Sequence, residues 1–114
     1  MQYILQIFSG DAGANFESLS EGEQKAILGE YFALSEAPGV TGGAQLQPPT
    51  TATTVRVDDG ETLTTDGPFV STKEALGGYL FFEADDLDAA IELASRIPAA
   101  RLGGAVEVRP IVEY

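Results

Sequence analysis

Three features of the sequence predict an α+β fold of the ferredoxin-like kind, with an antiparallel sheet and two helices on one of its faces. Apolar and β-branched runs at residues 2–8, 77–84 and 105–113 have strand character. Two segments, 20–35 and 86–97, repeat apolar residues at helical spacing. Between them a Thr-rich stretch broken by Asp-Gly turns reads as a hairpin. The order strand, helix, hairpin region, strand, helix, strand is a split βαβ repeat.

Each element has a local reason. Residues 2–8 (QYILQIF) carry apolar side chains on both faces, as a central strand does. Ser9 to Phe16 holds Gly, Asp and Asn and reads as a loop. Ser20-Glu21-Gly22-Glu23 fits a capping box, in which a serine oxygen accepts from the backbone three residues on and Glu23 reaches back. The helix it opens runs to about Ser35, with Ile27, Tyr31 and Leu34 as the buried stripe and Leu28 and Phe32 widening it. Pro38 disfavours helix at the residue before it and ends the segment.

Ala44 to Gln47 suggests an edge strand between Gly42-Gly43 and Pro48-Pro49. Residues 51–57 and 62–65 then form the hairpin around Asp58-Asp59-Gly60-Glu61. Gly77 to Ala84 is the strongest strand. Asp85 or Asp86 caps the second helix, with Leu87, Ile91, Ala94 and Ile97 along its buried face. In the last strand Val106, Val108 and Val112 share one face, and Pro110 marks an edge or a bulge.

Composition bounds the function. The 114 residues suit a single domain, 1–114. With 18 acidic and 6 basic side chains the formal charge is −12, which argues against nucleic acid as a direct partner and against an anionic membrane surface. No signal peptide or membrane span is expected, and the default location is cytoplasmic. The chain holds neither Cys nor His. Thiolate nucleophiles, Cys/His zinc sites and Ser-His-Asp triads are therefore excluded, no metal site and no cofactor is expected, and acid–base work falls to a carboxylate, Lys or Tyr.

Two helices shield one face of a sheet, leaving the other with half the side chains of Tyr3–Phe8, Tyr79–Phe82 and Val106–Val112. A contiguous apolar face of that size is rarely left in water. Its natural cover is a second copy about a two-fold axis, so a homodimer is expected. A ligand cleft can use part of the same face.

Asp66 is the sharpest site candidate. Between hairpin and strand, its carboxylate either acts as acid or base at a cleft mouth or caps the N–H groups of its own turn. Lys73, seven residues on, can neutralise it, hold an anionic substrate or form a surface ion pair. Arg56 and Arg109 lie on strands, where each can grip a carboxylate or pair across the sheet. Tyr79 lies on a central strand, where its ring packs in the seam or its hydroxyl faces a cleft. Phe69 reads as a core or interface anchor. The cluster Asp85-Asp86-Asp88 is explained by cap and dipole roles.

Several blocks in this order resemble the YCII-related proteins, in the branch named for an Asp-Gly-Pro-Phe motif. They are Leu46-Gln47-Pro48-Pro49, Thr51 to Arg56, Thr65-Asp66-Gly67-Pro68-Phe69, Thr72-Lys73-Glu74, Asp86 to Ala90, Arg96 to Ala100 and Val106 to Pro110. The resemblance implies a dimeric α+β barrel, ferredoxin-like protomers whose sheets pair face to face. It implies little about activity: the wider superfamily includes small-molecule enzymes, and relatives of this branch are linked to sigma factors. The constrained Asp66 beside an aromatic-rich sheet points to a small-molecule domain working by cofactor-free acid–base chemistry, whereas the missing His and Cys with the sigma-factor link point to a non-catalytic regulatory module. Some relatives carry a His–Asp pair; this chain has no His, so that pair does not transfer.

Overall fold

The computed structural model describes residues 1–69 and 74–114. Its elements are β1 (Gln2–Phe8), α1 (Ala12–Glu17), α2 (Glu21–Ser35), β2 (Val40–Gln45), β3 (Thr53–Asp58), β4 (Glu61–Asp66), β5 (Leu76–Glu83), α3 (Leu87–Ser95) and β6 (Ala105–Pro110). Short 3-10 turns sit at Pro49–Thr51 and Pro98–Ala100. Four strands form an antiparallel sheet in the order β2-β5-β1-β6. The first and third strands of that sheet are central and the second and fourth are its edges, which is the ferredoxin-like order. Among the described residues no helix is long and apolar enough to cross a membrane.

The hairpin stands apart from this sheet. Among the described residues β3 and β4 pair only with each other, as a two-stranded ribbon inserted between β2 and β5. Its turn has positive φ at both Asp59 (50°) and Gly60 (78°), the geometry that matches the strand twist of a tight hairpin. The edge strand expected at Ala44–Gln47 instead begins at Val40. β6 ends at Pro110, so Val112 lies beyond it and is exposed.

Capping holds both main helices as their sequences suggest. Ser20 Oγ accepts from the Glu23 N–H at 3.2 Å and Glu23 Oε1 from the Ser20 N–H at 3.3 Å, satisfying two donors that have no partner within the helix. Asp86 caps α3 through Oδ1 and the Ala89 N–H at 2.9 Å. The expected loop at 9–16 contains α1. Its composition is a weak helix former, and tertiary contacts secure it: the Asn15 side-chain amide donates to the Leu102 carbonyl, Asp11 N–H donates to Gly103, and Ala12 is buried.

One core forms between the helices and one sheet face. Tyr3 and Leu5 of β1 and Phe82 of β5 meet Leu34 of α2 and Ala90, Leu93, Ala94 and Ile97 of α3 and its exit. The α3 stripe is rotated from the one expected. Leu87 and Ile91 are half exposed, Ala94 and Ile97 are buried as expected, and the buried set Ala90-Leu93-Ala94-Ile97 follows the helical i, i+3, i+4, i+7 spacing. Small Ala side chains let the helix lie close to the sheet. On α2 the narrow stripe of Ile27 and Leu34 is buried, but Leu28 and Phe32 are 59% and 70% exposed and do not widen it.

Among the described residues no helix covers the opposite sheet face. Side chains alternate along a strand, so Ile4, Gln6 and Phe8 of β1 point there with Tyr79 and Phe81 of β5 and Glu107 and Arg109 of β6. The Tyr79 and Phe81 rings meet edge to face, 5.4 Å apart at 66°.

Candidate functional site

The sequence of β2 leaves a gap that becomes the larger cleft. Gly42, Gly43 and Ala44 supply little side-chain bulk at the sheet edge, and Gly78 supplies none on the neighbouring strand. Gly78 is kept bare by crowding, since an added Cβ would lie 2.9 Å from the Ala44 carbonyl oxygen. α2 passes over this thin part of the sheet without filling the space. The result is a cleft of 650 Å³ walled by Ile7 and Leu80 of the sheet, by Phe16 and Ile27, and by Tyr31 and Leu102. The exposed Leu28 and Phe32, one helical turn apart, also line it.

Tyr31 is a polar group in this mostly apolar space, whose lining also includes Ser9, Ser35, Glu36, Gln45 and Tyr79. Its hydroxyl oxygen accepts a hydrogen bond from the Ala99 N–H at 3.2 Å. Burial pushes its phenol above the ordinary tyrosine value, the Ala99 bond opposing it, so the group is protonated at neutral pH. Among the described residues nothing accepts that proton, which leaves an oriented O–H donor beside the cleft. On the sequence Tyr31 reads as one member of a core stripe. The signal for another role was the polar tip on that stripe opposite a Gly-Gly strand.

A second cleft, of 610 Å³, lies where the ribbon leaves the sheet. Phe8 and Leu76, paired on adjacent strands, form its sheet side, and Pro48, Pro49, Ala52 and Pro68 form the ribbon side. It adjoins the helix-free face.

The sequence candidates fall in different places. Asp66 ends β4 opposite Thr53, is exposed, and lines neither cleft, although Pro68 two residues on walls the second. Its turn is closed by other groups: Gly67 N–H donates to the Ala52 carbonyl at 2.7 Å, and Thr54 Oγ1 donates to the Gly67 carbonyl at 2.7 Å. Among the described residues no donor meets the Asp66 carboxylate. Arg56 is on the opposite face of the ribbon, across from Leu63, with its guanidinium carbon 5.4 Å from the centre of the exposed Phe69 ring. Tyr79 and Arg109 share the helix-free sheet face but stand on β5 and β6 with β1 between them. Tyr79 also lines the larger cleft. Lys73 lies outside the described residues. Within one chain the ribbon pair and the sheet pair are therefore not gathered at one point. Among the described residues no group of three His, Cys, Asp or Glu side chains is placed to hold a metal ion.

Fold and cleft together define a ferredoxin-like α+β domain with room for a small molecule between helix and sheet. Residues 12–114 match the YCII-related domain, and the chain belongs to that family. It is 42% identical over 72 residues to the uncharacterized protein R00369 of Rhizobium meliloti (strain 1021), an alignment covering 62% of this chain and 58% of that protein. The chain thus spans somewhat over half the length of this curated relative. Its fold is similar to that of 5-chloro-2-hydroxyhydroquinone dehydrochlorinase (TftG) from Burkholderia phenoliruptrix AC1100, solved in complex with 2,5-dihydroxybenzoquinone. The TM-score is 0.51 at 16% identity, over 100% of this chain and 96% of that one. At that identity the likeness concerns the fold.

Proposed function

We propose that this protein binds a compact, oxygen-bearing ring compound in the cleft between α2 and the sheet, with the Tyr31 hydroxyl as its polar anchor. The observation that carries this reading is the protonated phenol beside a mostly apolar cleft, its oxygen already held by Ala99 and its proton meeting no acceptor among the described residues. Such a group donates to a carbonyl or hydroxyl oxygen at a reduced desolvation cost, because the side chain is already half-buried. Phe16 and Ile27 would contact the ring, and Phe32 would close over it. A dehydrochlorinase with a quinone bound on the same fold supports this chemical class.

Any transformation of the bound ring is proton transfer without a cofactor, and Asp66 is the carboxylate proposed to carry it. Support for Asp66 is a carboxylate that no donor meets among the described residues, on a turn held by other groups. In the single chain it lines neither cleft, so this role requires the ribbon to be brought to a site. The helix-free sheet face, with Ile4, Phe8, Tyr79 and Phe81, is proposed to seat a second copy of the chain.

The test is a titration with hydroquinone followed by amide chemical shifts. Saturable shifts at residues of α2 and β2, weakened about tenfold in Tyr31→Phe, are expected, since one hydrogen bond is worth roughly 1.4 kcal/mol when it changes affinity tenfold. Shifts that saturate elsewhere, or a Tyr31→Phe variant that binds equally well, would remove the anchor.

A further inference from the structure

We infer that the β3–β4 ribbon is a clasp that packs on a second copy of this chain, through the face carrying Val55, Val57, Thr62, Thr64 and Asp66. The inference rests on the proposed homodimer and adds to it the ribbon and the face it uses.

The register sets that face. Val55 pairs with Thr64, Val57 with Thr62 and Thr53 with Asp66, so these six side chains project to one side and Arg56 and Leu63 to the other. Val55 is 60% and Val57 70% exposed. Two strands alone are marginal in water and need a surface to pack on. The chain's own core does not supply one, because β3 and β4 pack on each other and hardly on any other element. The molecule is accordingly drawn out, with a radius of gyration of 16.0 Å and extents of 48 × 41 × 18 Å. A compact chain of this length has a radius near ~13 Å.

A second copy is the occupant that fits. The helix-free sheet face runs directly into the cleft at the ribbon's root, through Phe8 and Leu76. A protomer seated on that face therefore lies where the ribbon reaches. A four-stranded face with strands of about six residues spans roughly 19 Å by 20 Å, near ~400 Å² in projection. A standard interface buries about 800 Å² of accessible surface per partner, and the ribbon face adds area beside that of the sheet. The isologous contact of a two-fold dimer would give each copy the other's ribbon and bring Asp66, on the packed face, into the seam. The Val/Thr face is uncharged apart from Asp66, as contact between two copies of a chain of charge −12 requires.

Sedimentation equilibrium of the wild-type chain and of Val55→Asp/Val57→Asp tests this, with circular dichroism to check folding. A wild-type dimer and a double variant whose dissociation constant rises at least tenfold are expected. A wild-type dimer whose constant the double variant leaves unmoved would overturn the clasp and leave the sheet-face dimer standing; a wild-type monomer at every concentration would overturn both. Because the chain has no Cys, Val57→Cys takes one nitroxide label. Its spectrum should be immobilised in the dimer and mobile on dilution, and a spectrum mobile at all concentrations would also overturn the clasp.

Discussion

The Tyr31 hydroxyl takes the Ala99 N–H at 3.2 Å, tying the middle of α2 to the turn that follows α3. The two residues are 68 positions apart in sequence, and this bond, with the neighbouring Arg101–Glu30 ion pair, joins the two helical segments of the βαβ repeats. It also fixes where the phenol points in the cleft.

Removing that hydroxyl leaves the Ala99 N–H half-buried without its acceptor. Tyr31→Phe should cost about 1–2 kcal/mol of stability, read from urea denaturation midpoints, while the ring keeps the cleft wall in place.

The same residue sets a dependence on alkaline pH. Burial raises the phenol's pKa in the folded protein above its unfolded value of about 10, so folding favours the protonated form. The contribution is complete below that unfolded value and is lost as pH rises through the folded one. Wild-type stability should therefore fall more steeply than that of Tyr31→Phe above pH ~10. Comparing the two chains cancels the titration of the other tyrosines and the lysines, and parallel curves would show that Tyr31 ionises equally well folded and unfolded.

The two exposed apolar residues of α2 separate binding from folding. Phe32→Ser should change stability by no more than about 0.5 kcal/mol, because the ring is largely in solvent already. It should nevertheless weaken hydroquinone binding several-fold, measured by the same chemical-shift titration. By contrast Leu93→Ala, at a buried position between α3 and the sheet, should cost about 2–5 kcal/mol by the denaturation assay.

Asp66→Asn should leave the fold and the cleft intact, since the turn is closed by Gly67, Ala52 and Thr54. Thermal melts within about 2 °C of wild type are expected, as for a surface change of under ~0.5 kcal/mol. Once a turnover is in hand, the variant should lose it with KM little changed; full retention would take Asp66 out of the chemistry.

Much of this architecture could be read from local patterns, because local patterns decide it. Ser20 and Glu23 cap α2, Asp86 caps α3, and residues 2–8 and 76–83 are the central strands. What was not legible depends on contacts distant in sequence. The hairpin signal at Asp59-Gly60 specifies a turn and two strands but not the sheet they join, and among the described residues these strands join none beyond themselves. Helical spacing allows several rotations about an axis: Leu87 and Ile91 fit a stripe with Ala94 and Ile97, but the sheet buries Ala90 and Leu93 in their place. Asp66 could be named from its motif, but its distance from both clefts could not. The cleft itself follows from missing bulk at Gly42, Gly43 and Gly78, and glycines on a strand give no sign of what lies above them.

The most direct measurement of the central claim is a crystal structure of the protein soaked with hydroquinone. The expected density is a ring between Phe16 and Ile27 with one oxygen within hydrogen-bond distance of the Tyr31 hydroxyl. A cleft left empty while the ring occupies another surface, or a ring there whose oxygens turn away from Tyr31, would contradict it.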